Sequence, residues 1–289
     1  AEDGIRDKLV TGVQTCALPI SGINEKTTVY EPTAGNGMLL MAAAEKNIIA
    51  NELNEDRFDM LKRILPKAEV VNKNAINFQP DLVEVIIANP PFGAIGEQVT
   101  INGVNTRELD HAISYTALRR MQQDGKAVLI VGGVQANTEE GRREGYRSKA
   151  KREFYYNLYK DYNVVDHFTA GGNMYAKQGT TYPVDVIVID GKGQSKRDLP
   201  AADLPQLITS YEQLKEKLND RMVSRGDRGT TGADIGESEQ GRIERAGVDR
   251  GAVGEGERAG TEGGRTTGGG TEGVSETGDR KSTRLNSSH

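Results

Sequence analysis

The sequence predicts an α/β protein built on a mostly parallel, doubly wound sheet that closes with an antiparallel hairpin. Three observations carry this expectation. Strand-like and helix-like segments alternate from Thr27 to about Asp190, the pattern of repeated βα units with right-handed crossovers. Runs such as Val85-Ile86-Ile87-Ala88 and Ala127-Val128-Leu129-Ile130-Val131 are apolar at every position, as in strands covered on both faces. Gly- or Pro-rich turns follow the first and fourth of these strands, where open α/β sheets bind ligands. This span is long enough for one buried core.

Each element follows in order. Thr28-Val29-Tyr30 is the first strand and leads into a Gly-rich turn, after which Met38 to Lys46 reads as a helix. Ile48 to Glu52 is the second strand and Asp56 to Leu65 the second helix. Glu69-Val70-Val71 and Val85 to Ala88 are the third and fourth strands. Leu109 to Met121 places Leu109, Ala112, Ile113, Thr116 and Ala117 on one helical face. Ala127 to Val131 is the fifth strand, and Glu139 to Asp161 a single charged helix. Val164 to Thr169 and Val184 to Ile189 form the final hairpin, and Tyr211 to Leu218 a short closing helix.

The ends carry a different signal. Residues 279–289 can be encoded by DNA whose reverse complement translates as residues 10–20, Val10 to Ile20. Two unrelated termini do not share complementary strands of one oligonucleotide, so residues 1–20 and 279–289 read as translated sequencing adapter. Residues 21–218 are then the folded domain, a fragment of something longer. Residues 219–278 hold no Phe, Tyr or Trp and are dominated by Gly, Glu, Arg, Thr and Ser, the composition of a disordered linker. On this reading the one cysteine, Cys16, is not native, and His111 and His167 stand too far apart in sequence to suggest a metal site. No apolar run approaches membrane-spanning length.

Charge divides unevenly. Residues 21–118 carry 8 Lys and Arg against 13 Asp and Glu, whereas residues 119–197 carry 14 against 9. The basic half is densest at Arg142, Arg143, Arg147, Lys149, Lys151 and Arg152, a run that suits either a solvated helix face or contact with phosphates.

Two loops carry the chemistry. Glu31-Pro32-Thr33-Ala34-Gly35-Asn36-Gly37 follows the first strand, and its glycines let backbone approach a ligand. The spacing lacks the third glycine of a pyrophosphate cradle. Glu52, ending the second strand, is placed to accept hydrogen bonds from ribose hydroxyls. Together these suit S-adenosylmethionine better than a dinucleotide. The second loop is Asn89-Pro90-Pro91-Phe92. The Asn89 amide oxygen and a neighbouring backbone carbonyl can grip both hydrogens of an –NH2 group, localising a lone pair that is otherwise delocalised into a π-system. Phe92 offers a flat face to a planar substrate.

On these motifs the chain resembles the Rossmann-like class I, S-adenosylmethionine-dependent amino-methyltransferases of the adenine-N6 type. The resemblance implies that Glu31 through Gly37, Glu52, and Asn74 with Ala75 hold the cofactor. Asn74 stands where the family usually has an Asp. It implies that Asn89 through Phe92 are catalytic, that Phe92 and Tyr175 (in Gly172-Asn173-Met174-Tyr175) stack on a flipped or single-stranded DNA adenine, and that no metal is needed. The stretch further resembles methyltransferase domains of phage and mobile-element proteins that carry a strawberry-notch-like helicase region downstream. That implies such a domain as partner and a cytoplasmic location in a bacterial or phage-infected cell. The family's segment before the glycine turn is replaced here by adapter-like sequence, so weak cofactor binding, or none, is expected of this polypeptide. Methylation of a protein glutamine, of RNA adenine or of cytosine-N4 remains open, as does a non-catalytic nucleic-acid-binding role.

Overall fold

The computed structural model describes residues 17, 18, 20–172, 174 and 182–224. Its first half runs β1 (Val29–Glu31), two 3-10 turns (Met38–Leu40 and Glu45–Asn47), β2 (Ile48–Asn51), α1 (Glu55–Ile64), β3 (Glu69–Val71) and β4 (Val83–Ala88). A hairpin of β5 (Ala94–Ile101) and β6 (Val104–Glu108) follows, then α2 (Leu109–Leu118) and β7 (Met121–Gly132). The second half holds α3 (Glu139–Arg147), α4 (Lys149–Asp161), β8 (Tyr162–Ala170), β9 (Val184–Lys192), β10 (Gln206–Ile208) and α5 (Tyr211–Ser224).

Eight strands form one sheet in the order β10-β8-β9-β7-β4-β1-β2-β3. Only β9 runs antiparallel to its neighbours, pairing Val128 with Val188 on one side and Phe168 with Val186 on the other. The expected mostly parallel sheet with a closing antiparallel hairpin is therefore what the chain builds. β1 lies between β2 and β4, both parallel to it, so the chain reverses its direction of winding between β1 and β4. Such a switch point opens a crevice at the carboxyl ends of the strands.

Both faces of the sheet are covered. Ile86, Ala88, Ala127, Leu129 and Val131 point into one apolar layer with Phe154, Tyr155 and Leu158 of α4. Val85, Ile87, Val128 and Ile130 point into the other with Leu39, Leu40, Leu61 and Leu214. Ala17 and Ile20, in the segment that reads as adapter, are buried in this second layer. The alternation explains the all-apolar strand runs, because neither face of a central strand meets water.

Local structure departs from expectation in several places. The helix expected over Met38 to Lys46 resolves into two 3-10 turns. Gly37 at its start supplies no capping side chain, and a helix this short is marginal without one. The helix expected over Glu139 to Asp161 breaks at Ser148, which is extended (ψ 147°) and ends α3 while starting α4. Gly145 presses α3 against Val134, since a Cβ there would lie 2.2 Å from Val134 Cγ1. Met121 opens β7 and does not extend α2. The closing helix α5 continues to Ser224. The β5–β6 hairpin was not expected, although Asn102-Gly103 (φ 51° and 82°) is a strong signal for a two-residue hairpin turn.

Candidate active site

The glycine turn after β1 is held from the side by β2. Gly35 and Gly37 have φ of 56° and 78°, a region that L side chains rarely adopt. A Cβ on Gly37 would sit 3.0 Å from Leu61 Cδ2, so this glycine permits close packing. A Cβ on Gly35 would meet nothing within 4 Å, so that side of the turn is open. Glu52 is buried, and its Oε2 accepts the Gly35 N–H at 2.9 Å. Its Oε1 accepts from Asn54 N at 2.8 Å and Arg57 Nη2 at 3.0 Å. Three of the roughly four acceptor positions of a carboxylate are thus in use. Glu52 acts first as the strut of the glycine turn.

Asn51 was missed by motif reading, because nothing in the sequence marks a strand-end Asn as a brace. It is buried, donates to Pro32 O and Lys73 O (2.9 Å each) and accepts from Lys73 N at 3.0 Å. It therefore ties the glycine turn to the loop after β3. Asn74, in that loop, is exposed, and its side-chain oxygen accepts from Ile76 N at 3.0 Å. That oxygen is committed to a local turn, while neighbouring Ala75 is buried.

Glu31, the last residue of β1, is buried and its Oε2 has no hydrogen-bond partner. Burial pushes this carboxyl well up, and the nearby Glu52 adds to the shift. One carboxyl held up by burial and a second already paired with Arg57 lie beside an open glycine turn, a poor setting for a pyrophosphate.

The Asn89-Pro90-Pro91-Phe92 loop leaves β4 beside this turn. The Thr33 hydroxyl lies 3.4 Å from the Asn89 carbonyl oxygen. Asn89 is half-buried, Pro90 buried, and Pro91 and Phe92 exposed. Phe92 (44% exposed) and Tyr182 (51% exposed) line a cleft of about 490 Å³ with Glu108, Asp110, Gly132 and Lys151. Gly132, the last residue of β7, is gripped from both sides. Its N–H donates to Asp110 Oδ2 at 2.9 Å, and its carbonyl accepts from Lys151 Nζ. Burial raises the Asp110 carboxyl, and the Gly132 N–H and the Lys151 charge offset part of that. Neither Asp110 nor Lys151 was assigned to this cleft from sequence, because α2 read as a packing helix and Lys151 as part of a charged run suited to a solvated face or phosphate contact.

The basic run does not act as one surface. Arg142 is buried, 7% exposed, and its Nη2 donates to Pro205 O at 2.6 Å and Thr169 Oγ1 at 3.2 Å, which removes it from any phosphate contact. Arg143 donates to Ala201 O and Ala202 O. Arg147 is exposed and lies 3.5 Å from both Glu140 and Glu144. Lys149 and Arg152 are exposed, while Lys151 turns into the cleft. Tyr175 lies outside the described residues.

Beneath Gly133 sits a buried polar cluster. Asp185 accepts from Tyr155 at 2.5 Å, Thr169 at 2.7 Å and Tyr146 at 2.9 Å, with His167 Nε2 at 3.5 Å. Among the described residues no group of His, Cys, Asp and Glu is arranged to hold a metal ion, and no helix is long and apolar enough to cross a membrane.

No family model and no curated protein matches the sequence. Solved structures do. One is described as the modification subunit of a type I restriction enzyme from Vibrio vulnificus. It is 16% identical with a TM-score of 0.52, covering 76% of this chain and 52% of that one. Another, from Listeria monocytogenes, is described as a class I S-adenosylmethionine-dependent methyltransferase. It is 9% identical with a TM-score of 0.51, covering 75% of this chain and 68% of that one. A component of a type I restriction–modification system is 14% identical with a TM-score of 0.51, over 75% and 50%. The chain thus spans about half the length of the restriction-system proteins it matches. Its described residues have the Rossmann-like fold of the class I methyltransferases.

Proposed function

We propose that the protein transfers a methyl group from S-adenosylmethionine to the exocyclic N6 amino group of adenine in DNA. The observation that carries this reading is the meeting of two loops at the switch point. The glycine turn after β1 and the Asn-Pro-Pro-Phe loop after β4 leave adjacent parallel strands and touch through Thr33 and Asn89.

The turn fits the cofactor on charge and shape. S-adenosylmethionine carries a sulfonium and an ammonium, and a cation arriving beside the open face at Gly35 would favour ionisation of the buried Glu31 carboxyl, while Glu52 is already paired with Arg57. When bound, it supplies an electrophilic methyl group. Glu31, with an unpartnered oxygen, is suited to a cationic end of the ligand, and the acceptor capacity left on Glu52 to a ribose hydroxyl. Asn74 and Ala75 are assigned to the adenine end.

The chain's residues then act on the acceptor base. Unstacked from its neighbours, the adenine lies against Phe92, with Tyr175 assigned as a second stacking ring. The Asn89 side-chain oxygen and the Pro90 carbonyl accept the two amino hydrogens, so the nitrogen lone pair points away from the ring and towards the donor. Pro90 and Pro91 fix the backbone that aims them. Lys149 and Arg152 are the cations of the basic run placed to meet phosphates. Similarity of fold to modification subunits of restriction systems favours DNA over protein as substrate.

The test is transfer of labelled methyl groups to DNA, RNA and protein in parallel. Label recovered as N6-methyladenine from DNA supports the proposal. Label found only in protein glutamine, or in no acceptor while the cofactor binds, overturns it.

A further inference from the structure

Of the cations in its run, Lys151 is the one that lines the cleft with Phe92. In α4 the residues at positions 151, 154, 155 and 158 share one helical stripe, and Phe154, Tyr155 and Leu158 on that stripe are buried in the core. A lysine in an inward stripe loses hydration and must be given partners. Here its ammonium donates to the carbonyl of Gly132 and lines the cleft with Phe92. Gly132 lies within ordinary contact range of two other groups that line the cleft. A side chain begun there would come within 3.4 Å of Asp110 Oδ2 and 3.8 Å of Phe92 Cδ1. Asp110, buried and bonded to the Gly132 N–H, puts a carboxyl on the other side of the same residue. The ammonium has three donors, and Gly132 takes one.

Given the adenine reading above, on which this rests, we infer that Lys151 is a specificity-determining residue that donates to a ring nitrogen beside the target amino group. The pattern is complementary. Asn89 and Pro90 offer acceptors where the base carries N–H, and Lys151 offers a donor where the ring carries a lone pair. Asp110 is the positioning residue, fixing Gly132 and hence the lysine that Gly132 holds. The substrate class is a flat heterocycle with an sp² ring nitrogen next to its –NH2, which describes adenine and cytosine and excludes thymine.

The experiment uses single-stranded oligonucleotides with one fixed target base in randomised flanks. The target is adenine, 1-deazaadenine or 7-deazaadenine, each compared for wild type, Lys151→Met and Lys151→Arg. Wild type is expected to prefer adenine over one of the two analogues by roughly tenfold, the worth of one hydrogen bond to a charged group. Lys151→Met should lower kcat/KM on adenine by a similar factor and bring that preference close to one. Lys151→Arg should restore part of it. A purely structural role would lower all three substrates together and leave the ratios intact, and that result overturns the inference. Should Lys151→Met not fold, the same ratios for Lys151→Gln decide the matter. Failure of wild type to methylate any of these bases would instead sink the adenine reading itself.

Discussion

Thr33 and Asn89 stand 56 positions apart in the chain, yet the Thr33 hydroxyl lies 3.4 Å from the Asn89 carbonyl oxygen. The contact is at the long end of hydrogen bonding and stabilises little. Its value is positional, because it registers the glycine turn against the Asn-Pro-Pro-Phe loop. Parallel pairing of β1 with β4, Val29 opposite Val85, sets that register from below. The predictions below take the two loops and their supports in turn.

Glu52 holds the glycine turn through Gly35, Asn54 and Arg57. Replacing it by Ala leaves two backbone N–H groups without this acceptor, which should cost about 1–3 kcal/mol in urea denaturation. Cofactor affinity, measured by calorimetry, should fall by at least roughly tenfold, a loss of about 1.4 kcal/mol. Glu52→Gln keeps one acceptor oxygen and should lose less of both.

Phe92 should act on substrate and not on stability. Its ring is 44% exposed on the cleft wall, so Phe92→Ala should leave the melting temperature nearly unchanged. Loss of base stacking should cost about 1–3 kcal/mol in kcat/KM. A variant that melts early but turns over normally would show that the ring packs and does not stack on substrate.

His111 makes stability depend on pH. It stacks on Phe154 with ring centroids 3.9 Å apart and planes 8° from parallel, and neither ring nitrogen has a hydrogen-bond partner. Burial, reinforced by the nearby Lys151 charge, holds its pKa well below the usual 6.5. Below pH 6.5 the unfolded chain takes up a proton that the folded chain excludes. Stability from this group is therefore lost as pH falls, by up to about 1.4 kcal/mol per pH unit. Denaturation curves of His111→Phe at pH 7 and 5.5 should lack that part of the slope.

Asp185 works in the same direction at lower pH. Burial would raise its carboxyl, but His167, the Lys151 charge and the Tyr155 hydroxyl outweigh burial and hold it at about 2, below the ordinary 3.8. A depressed carboxyl stabilises above its unfolded pKa, and that contribution is lost as pH falls from about 4 towards 2. The loss should be about 2 kcal/mol. Asp185→Ala should cost roughly 3–5 kcal/mol at neutral pH, because three hydroxyls lose a buried acceptor. Its acid slope should also be shallower than that of the native chain.

Most of what positions the site is legible in the sequence. The apolar runs of β4, β7 and β9 specify a sheet covered on both faces, and Gly35, Gly37 and the Pro90-Pro91 pair mark the two loops that such a sheet delivers to one edge. The β5–β6 hairpin was legible too, in Asn102-Gly103. Other features lie beyond local pattern. The brace made by Asn51 depends on where Pro32 and Lys73 end up, and the inward turn of Lys151 depends on which side of α4 faces the core. Arg142 shows the same limit in reverse. Its charge suggests a surface, but its guanidinium serves Thr169 and Pro205 inside the domain.

The most direct measurement is single-turnover methyl transfer by Asn89→Ala alongside calorimetric cofactor binding. If the Asn89 side chain activates the acceptor amine, the methyl-transfer rate should fall roughly 10²–10³-fold while cofactor affinity stays close to that of the native chain. Turnover at the native rate, or an equal loss of turnover and cofactor affinity, would contradict the role assigned to that loop.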